Sequence, residues 1–419
     1  MSDSGSQEHQ PGRPQWRKPV PEGVTEVTEV AIGEASALVS LSDGALGLIA
    51  GGRLLRSADG GVTWGEPLAL ELPDAGRLQG LACIRLQAGP LALVYRNRQE
   101  CFRLVVSEDD GRTWRQRSTV DLLGSPYYDA LIETGDGTLV MPSRECYGND
   151  DHPGLEYRKI STWGTWKGLR LQVSGHYHYP EIDIAAVSRS EDGGRTWQRA
   201  QPLMGWFDEH GIANGYGGVT ACDEPSVAET ADGRLLFFAR STVGRIVASH
   251  SSDGGERWTA VRPTELAASY SPPRLRRIPA TGDLICVWNQ VSREEIRRGY
   301  RRGRLSSAIS RDSGESWEHF RTIEVSAGLA DVDQIAPEHP IIPVIGLPDV
   351  GALPDDFATF DYPNVCFADD RVFLIYHRSW VDSGPTARQA STLGERGRDE
   401  AGKPRESVIR SYPLDWFYG

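Results

Sequence analysis

An eight-residue pattern that occurs five times constrains the fold of this chain more than any other feature of its sequence. Each copy has Ser at the first position, Asp at the third, Gly at the fifth and Trp at the eighth. The five copies occupy residues 57–64, 107–114, 190–197, 251–258 and 310–317. The Asp side chain can accept hydrogen bonds from the backbone that follows, and the Gly supplies a positive φ, so the pattern is typical of a tight turn. Because strand-like segments precede most copies, each octet is predicted to join two antiparallel strands.

A second recurring pattern, a polar turn followed by an apolar strand, is offset from the octets. Its turns lie at positions 43, 89, 136, 232, 282 and 370. Each unit then contains a strand, the turn, an apolar strand, a third strand, the octet and a fourth strand, which is the four-stranded blade of a propeller. The sixth unit lacks an octet, but residues 407–412 can supply a strand, and pairing with residues 24–32 would close the ring. The sequence predicts an all-β, six-bladed propeller.

The turn spacings predict one domain with insertions. Residues 24–419 form the propeller, and residues 1–23, which are polar and rich in Pro, form a lead-in that we expect to be mostly disordered. The predicted insertions lie near residues 145–179, 198–222, 326–360 and 382–405. Long loops in a closed ring often gather over one face, where a site is expected.

Composition limits the class of partner. A net charge of −13 argues against nucleic acid or an anionic membrane as the main partner. No apolar run approaches the roughly 20 residues of a membrane-spanning helix, and residues 1–23 lack the apolar segment of a signal peptide. The six cysteines have no metal-binding spacing, which favours buried free thiols in a reducing compartment. We therefore expect a soluble, cytoplasmic protein, whose oligomeric state the sequence leaves open.

Counting residues from the turns allows the six units to be compared. On the strand that follows each turn, arginines occupy equivalent positions in four units: Arg96, Arg144, Arg240 and Arg378. On the strand that precedes each turn, the positions eight residues before the turn carry Tyr128, Glu224 and Tyr362, and Glu34 lies one residue further from its turn. Both sets are predicted to lie at the end of the ring opposite the turns. The arginines can pair with carboxylates of neighbouring blades or bind an anionic ligand through bidentate hydrogen bonds, and four together favour the anion site.

The octets are Asp boxes, and over roughly residues 34–412 the chain resembles the sialidase (neuraminidase) superfamily of six-bladed propellers. Asp boxes also occur in propellers with other functions, so the functional resemblance depends on three further segments. Glu224 precedes Arg240 by sixteen residues, as the catalytic glutamate of the family precedes an arginine that binds the substrate carboxylate. Arg302, eight residues before the fifth Asp box, matches a second such arginine. The segment DYPNV matches the one that bears the tyrosine nucleophile, here Tyr362.

The resemblance implies a mechanism. Glu224 would activate Tyr362, which would attack the anomeric carbon of a sugar whose carboxylate is bound by Arg240 and Arg302. Sialidases are the tyrosine exception among glycosidases, and a neutral phenol avoids the repulsion between a carboxylate nucleophile and an anionic sugar. Adjacent arginines at positions 301 and 304 are alternatives to Arg302.

Two groups that the resemblance implies are missing. The first blade of sialidases carries an Arg-Ile-Pro motif that supplies one carboxylate-binding arginine, whereas residues 34–36 here are Glu-Ala-Ser. The loop that carries the acid/base aspartate is also short. Arg144 or Arg378 is a candidate replacement for the arginine, and Glu34 or Asp129 for the acid/base.

Three functions follow from these patterns. The first is a sialidase-like exo-glycosidase that hydrolyses a terminal acidic sugar from a glycoconjugate. The second is a propeller hydrolase or lyase for another acidic sugar, and the third is a non-catalytic glycan-binding propeller. His, Asp and Glu residues within 146–152 and 176–183 lack a recognised metal-ligand spacing, so neither a metal nor another cofactor is expected. The sequence favours the first function.

Overall fold

The computed structural model has six antiparallel sheets arranged as the blades of a six-bladed β-propeller, as predicted. It describes residues 16–28, 30, 37–74, 82–98, 101–126, 129–148, 161–166, 169–174, 181–206, 219–298, 300–337, 353–380 and 405–419. Within this part of the chain, no helix is long and apolar enough to cross a membrane.

The strands follow one another around the ring. The N-terminal strand is β1 (Thr25–Val27). Blade 1 contains β2 (Ala37–Ser40), β3 (Leu46–Ala50), β4 (Arg53–Ser57) and β5 (Leu68–Ala69). Blade 2 contains β6 (Ala82–Arg85), β7 (Leu91–Arg96), β8 (Phe102–Ser107) and β9 (Arg115–Val120).

Blade 3 is the most elaborate of the described sheets. In chain order its region contains β10 (Ile132–Glu133), β11 (Leu139–Gly148), β12 (Ser161–Trp166), β13 (Leu169–Ser174), β14 (Glu181–Ser190), β15 (Gln198–Arg199), β16 (Leu203–Trp206) and β17 (Val219–Thr220). The sheet has the order β10-β11-β14-β16-β17, with β15 paired to β14. Strands β12 and β13 form a separate hairpin, which lies within the first predicted insertion.

The remaining blades are regular. Blade 4 contains β18 (Asp223–Glu229), β19 (Leu235–Arg240), β20 (Arg245–Ser251) and β21 (Arg262–Ala267). Blade 5 contains β22 (Arg274–Arg277), β23 (Leu284–Trp288), a short helix α1 (Arg293–Arg297), β24 (Arg304–Ser310) and β25 (Glu318–Val325). Blade 6 contains β26 (Ala358–Ala368), β27 (Arg371–Trp380) and β28 (Arg405–Pro413), followed by a 3-10 helix, Leu414–Phe417.

The first Asp box shows why the octet forms a turn. The Ser57 hydroxyl donates to Asp59 and accepts from the Gly61 N–H, both at 2.8 Å. Asp59 Oδ1 accepts from the Thr63 N–H at 2.9 Å. Hydrogen bonds from the hydroxyl and the N–H of Thr63 lower the pKa of Asp59 to about 2. The other four octets repeat these contacts, so the predicted turn is confirmed.

The ring closes as the sequence predicts. Strand β1 pairs with β28, with Thr25 opposite Ser411, and supplies the outermost strand of blade 6. Of the predicted lead-in, residues 1–15 lie outside the described residues. Residues 16–23 contact the propeller: Lys18 Nζ donates to Asp331 Oδ1 at 2.7 Å and to the Thr322 carbonyl at 2.9 Å. The N-terminal strand therefore covers an edge that would otherwise be exposed.

The hydrophobic core consists of layers between neighbouring blades. For example, Leu48 of blade 1 packs in one cluster with Phe373 and Ile409 of blade 6. Corresponding clusters join blades 1 and 2, 2 and 3, 3 and 4, 4 and 5, and 5 and 6. The described free cysteines are buried apart from Cys101. Because the apolar contacts lie between the sheets, the inner strands are able to present polar side chains at the axis.

Candidate active site

The inner strands of blades 4 and 6 share a backbone irregularity. In β18 the pairing with β19 shifts between Asp223 and Ser226, and in β26 the pairing with β27 shifts between Asp361 and Asn364. The sequence at each shift is Asp-x-Pro, and proline suits a bulge because it has no N–H to leave unpaired. The two bulges are therefore equivalent features that re-aim one side chain each.

The residues at the centre of the two bulges are Glu224 and Tyr362. Both have positive φ angles, 45° and 53°, a conformation that costs a non-glycine residue about 1–3 kcal/mol. Tyr362 Oη lies 3.4 Å from Glu224 Oε1, although 138 positions separate the two residues in the chain. This distance is slightly longer than an optimal hydrogen bond, as is common for catalytic pairs without substrate. The geometry permits proton transfer from the phenol to the carboxylate.

Asp223, which precedes Glu224, binds two of the predicted arginines. Its side chain is fully buried, and it accepts from Arg240 Nε at 2.9 Å, Arg144 Nε at 2.8 Å and the Tyr270 hydroxyl at 3.2 Å. Arg240 Nη1 also lies 2.8 Å from Glu224 Oε2. Burial lowers the pKa of Arg240, but Asp223 and Glu224 more than offset this, so the pKa is raised and the guanidinium stays charged.

Arg302 approaches the predicted nucleophile from the end of blade 5. Its Nη1 donates to Asp361 Oδ1 at 2.8 Å, and its Nη2 donates to the Tyr270 carbonyl at 3.2 Å. The guanidinium lies 5.5 Å from the centre of the Tyr362 ring, within the range of a cation–π interaction. By contrast, Arg304 donates to Glu295 at 2.8 Å, so of these two arginines Arg302 is the one that lies against the Tyr362 ring.

Asp129 lies beneath the tyrosine bulge. Its Oδ2 accepts from Asn364 Nδ2 at 2.8 Å, and its Oδ1 accepts from the Cys83 N–H at 3.2 Å. Arg274 Nη1 donates to the Asp129 carbonyl at 3.1 Å, and Arg274 Nε donates to the Pro363 carbonyl at 3.4 Å. Burial raises the pKa of Asp129, and two neighbouring arginines offset this only in part. These contacts tie blades 2, 3, 5 and 6 together under Tyr362.

The predicted position of Arg378 at the axis is wrong. Arg378 donates to Glu406 at 2.8 Å, to Glu26 at 2.9 Å and to Glu324, between blades 5 and 6. The residue opposite Asp361 is His377, just as Arg240 is opposite Asp223. Counting from the turn failed because the turn between β26 and β27 has only two residues, so Arg378 lies one position beyond the residue that faces Asp361. A shift of one position places a side chain on the other face of a strand.

Three further residues are predicted at the site, Arg96, Glu34 and Tyr128, and the structure describes one of them. Arg96 is the last residue of β7 and is partly buried. Glu34 and Tyr128 lie outside the described residues. The described residues contain no group of three or more His, Cys, Asp and Glu side chains that could hold a metal ion.

Sequence reasoning assigned no role to several residues of the site: Asp223, Tyr270, Asp361, Asn364 and His377. The repeated Asp-x-Pro at residues 223–225 and 361–363 could have identified the two aspartates and the bulges. For Tyr270, which lies in the loop before β22, no comparable pattern exists.

Comparisons with known proteins agree with this architecture. The model of the BNR repeat-like domain family matches residues 130–374, more than half of the chain. No curated protein matches significantly in sequence. Among solved structures, the Trypanosoma rangeli sialidase in complex with 2,3-difluorosialic acid has a TM-score of 0.50 and 13% identity, over 96% of this chain and 60% of the sialidase chain. That likeness reflects a shared fold.

Two further matches among solved structures are named for arabinose-containing substrates. An α-L-arabinofuranosidase from Fusarium graminearum has a TM-score of 0.49 and 12% identity, over 94% of this chain and 99% of its own. An α-L-arabinanase from Penicillium chrysogenum complexed with arabinobiose has a TM-score of 0.48 and 14% identity, over 93% and 98%. Because the family model matches more than half of the chain, in a region with three of the Asp boxes and both bulged strands, this chain belongs to the BNR repeat-like domain family.

Proposed function

We propose that this protein is a retaining exo-glycosidase that hydrolyses a terminal acidic sugar from a glycoconjugate, with Tyr362 as the nucleophile and Glu224 as its base. The observation that carries the proposal is the 3.4 Å approach of the Tyr362 hydroxyl to the Glu224 carboxylate across the axis. Both residues are held in strained conformations, and such strain is concentrated at functional sites.

The chemistry follows from this pair. A phenol has a pKa of about 10 and is a poor nucleophile at neutral pH unless a base removes its proton. Tyr362 Oη attacks the anomeric carbon while its proton moves to Glu224, and the glycosidic bond breaks with its electron pair on the leaving oxygen. The general acid protonates the leaving oxygen, and its conjugate base then takes a proton from the water that attacks the anomeric carbon of the glycosyl-tyrosine intermediate. The phenolate leaves and regains its proton from Glu224, which restores both residues. Two displacements give retention of configuration.

The charges around the pair support an anionic sugar. Among the ion pairs of the described residues at the site, three carboxylates face three arginines: Asp223, Glu224 and Asp361 against Arg144, Arg240 and Arg302. When Glu224 accepts the phenolic proton, one negative charge disappears and an excess positive charge remains. A single carboxylate on the substrate would complement it, and Arg144, whose side chain is 28% exposed, is the accessible guanidinium.

Of the two candidates for the general acid, Asp129 is poorly suited to that role. Asp129 is 3% exposed, and donors contact both of its carboxylate oxygens. This environment suits a residue that supports the Tyr362 bulge better than one that protonates a leaving group. The alternative from the sequence, Glu34, therefore remains the predicted acid.

Hydrolysis of fluorogenic glycosides tests the proposal. The 4-methylumbelliferyl glycosides of N-acetylneuraminic acid, glucuronic acid and L-arabinofuranose cover acidic and neutral sugars, and proton NMR of the first product formed reports retention. Tyr362→Phe should lower kcat/KM for the acidic glycoside at least about a thousandfold. Tyr418→Phe is a matched control, because Tyr418 also donates to a carboxylate, Asp283 at 2.7 Å, but at the turn end of the ring.

Two results would contradict the proposal. Full activity of Tyr362→Phe would exclude the tyrosine nucleophile. Binding of acidic sugars without turnover of any glycoside would identify a glycan-binding propeller instead.

A further inference from the structure

Strand β22, the first strand of blade 5, contacts both of the bulged strands that carry the site. On the blade 4 side, the Ser226 hydroxyl donates to the Leu275 carbonyl at 3.2 Å and accepts from the Leu275 N–H at 3.1 Å. On the blade 6 side, Arg274 Nε donates to the Pro363 carbonyl at 3.4 Å, within the second bulge. Two adjacent residues of one strand therefore hold the bulge of the proposed base and the bulge of the proposed nucleophile.

The contacts of Arg274 form a closed loop beneath Tyr362. Arg274 Nη1 donates to the Asp129 carbonyl at 3.1 Å. The Asp129 carboxylate in turn accepts from Asn364 Nδ2 at 2.8 Å, and Asn364 directly follows Pro363 in the chain. The two residues after the nucleophile are thus each bound by one member of the pair formed by Arg274 and Asp129. A bulge that is held at two consecutive residues has little freedom to move its central side chain.

The side chain at position 274 bridges two segments that are distant in the chain. An arginine suits this position because its guanidinium is planar and carries several donors in fixed directions. Arg274 is fully buried, and its Nε and Nη1 donate to the carbonyl groups of Pro363 and Asp129. Its positive charge also opposes the effect of burial on the pKa of Asp129, so each ion offsets part of the cost of burying the other.

We propose that Arg274 is a positioning residue that sets the distance between the Tyr362 hydroxyl and the Glu224 carboxylate, because it ties the Tyr362 bulge to the strand that also anchors the Glu224 bulge. The inference rests on the proposed function for its effect on the rate, whereas the distance itself can be probed without turnover. The two groups lie 3.4 Å apart, and a misplacement of about 1 Å can lower a rate about a hundredfold. The rate should therefore depend on a fully buried residue of β22.

Fluorine NMR of protein labelled with 3-fluorotyrosine probes the pair without turnover. Tyr362→Phe identifies the resonance of Tyr362 by its loss. In the wild-type background, Glu224→Gln should shift this resonance, because an amide replaces the carboxylate beside the phenol. Arg274→Lys keeps the positive charge but presents a single nitrogen in place of the divergent Nε and Nη1. In that background the Tyr362 resonance should be displaced and should no longer respond to Glu224→Gln.

Kinetics with the acidic glycoside provide a second readout. Arg274→Lys should lower kcat/KM about a hundredfold, through kcat with little change in KM, because the buried guanidinium positions the reacting groups and does not bind the sugar. Arg410→Lys is the matched control, since Arg410 is also fully buried and donates to a carbonyl of the neighbouring blade, that of Ile323 at 3.0 Å. This control should keep both the Tyr362 resonance and the activity per folded molecule.

A second variant covers the possibility that Arg274→Lys does not fold. Ser226→Ala removes only the hydroxyl that ties the other bulge to β22, and it should displace the Tyr362 resonance and lower kcat/KM about tenfold. An unchanged resonance or an unchanged kcat/KM in folded Arg274→Lys, or in Ser226→Ala if the first variant does not fold, would overturn the inference. The expected resonance changes without hydrolysis of any glycoside by the wild type would support the positioning role and contradict the proposed glycosidase.

Discussion

Two buried clusters of arginines, carboxylates and tyrosines can be compared in this propeller. The axial cluster consists of Arg144, Arg240, Asp223, Glu224 and Tyr362. The seam cluster, between blades 5 and 6, consists of Arg378, Arg410, Glu26, Glu324, Glu406 and Tyr376. Both contain arginines, carboxylates and one tyrosine, and counting from the turns predicts Arg378 at the axis.

The clusters differ in solvent access and in backbone strain. In the seam cluster, Arg378 and Glu324 are each 1% exposed, and the Tyr376 hydroxyl donates to Glu324 at 2.6 Å. None of its six members has a positive φ angle. In the axial cluster, Tyr362 is partly exposed, its hydroxyl lies 3.4 Å from Glu224, and both residues have positive φ angles. A strained, loosely hydrogen-bonded pair that solvent can reach favours chemistry, whereas a closed network at a blade boundary favours stability.

The largest expected effect is a loss of catalytic activity that occurs when the axial cluster is changed and not when the seam cluster is changed. Glu224→Gln removes the base but keeps the side-chain shape, so kcat/KM should fall about 10²- to 10⁴-fold. The free energy of unfolding, measured by urea denaturation, should fall less than for the seam variant, because Arg240 keeps its pairing with Asp223 when Glu224 is neutralised. Glu324→Gln, the equivalent change in the seam cluster, should retain full activity per folded molecule. Equal losses of activity in the two variants would remove the distinction between the clusters.

Stability is expected to show the opposite order. Glu324 accepts from Tyr376 and Arg378 and lies 3.0 Å from Arg410 Nη2. Glu324→Gln removes the negative charge that Arg378 and Arg410 share. Breaking a buried ion pair costs about 3 kcal/mol or more. Urea denaturation followed by tryptophan fluorescence measures the loss. A change below that of Glu224→Gln would show that the seam cluster does not stabilise the ring.

The propeller could be predicted because its sequence determinants are local. An octet such as residues 57–64 supplies the side-chain hydrogen bonds of its own turn, so five copies identify five hairpins. The pairing of β1 with β28 could also be predicted from the sequence. The sixth unit lacks an octet, and its outer edge needs another strand to close the ring. Glu224 and Tyr362 could be placed at one end of the ring because each lies eight residues before its turn.

The contacts of the site could not be predicted in the same way, because they join distant blades. Asp223 is adjacent to Glu224 in the sequence, but its partners Arg144 and Tyr270 come from β11 and from the loop before β22. The position of Arg378 depended on the length of one turn. A two-residue turn and a bulge together place His377, not Arg378, opposite Asp361.

The smallest expected effect tests how the N-terminal strand contributes to the seam cluster. Glu26 of β1 accepts from Arg378 at 2.9 Å and from Arg410 at 2.6 Å. Burial raises the pKa of Glu26, but the charges of Arg410 and Arg378 more than offset this, so the pKa lies below its ordinary value of 4.5. A carboxyl group with a lowered pKa in the folded state stabilises the protein above its unfolded pKa, and this contribution is lost as the pH falls through the folded pKa.

Glu26→Gln should therefore reduce stability by about 1–2 kcal/mol at pH 7, less than Glu324→Gln because Glu26 is 14% exposed and the amide oxygen still accepts a hydrogen bond. The difference between wild type and Glu26→Gln should persist down to about pH 4.5 and shrink at lower pH. Thermal unfolding at a series of pH values measures it. A difference that grows as the pH falls below 4.5 would mean that Glu26 is not held ionised by the two arginines, and that β1 closes the ring through backbone pairing alone.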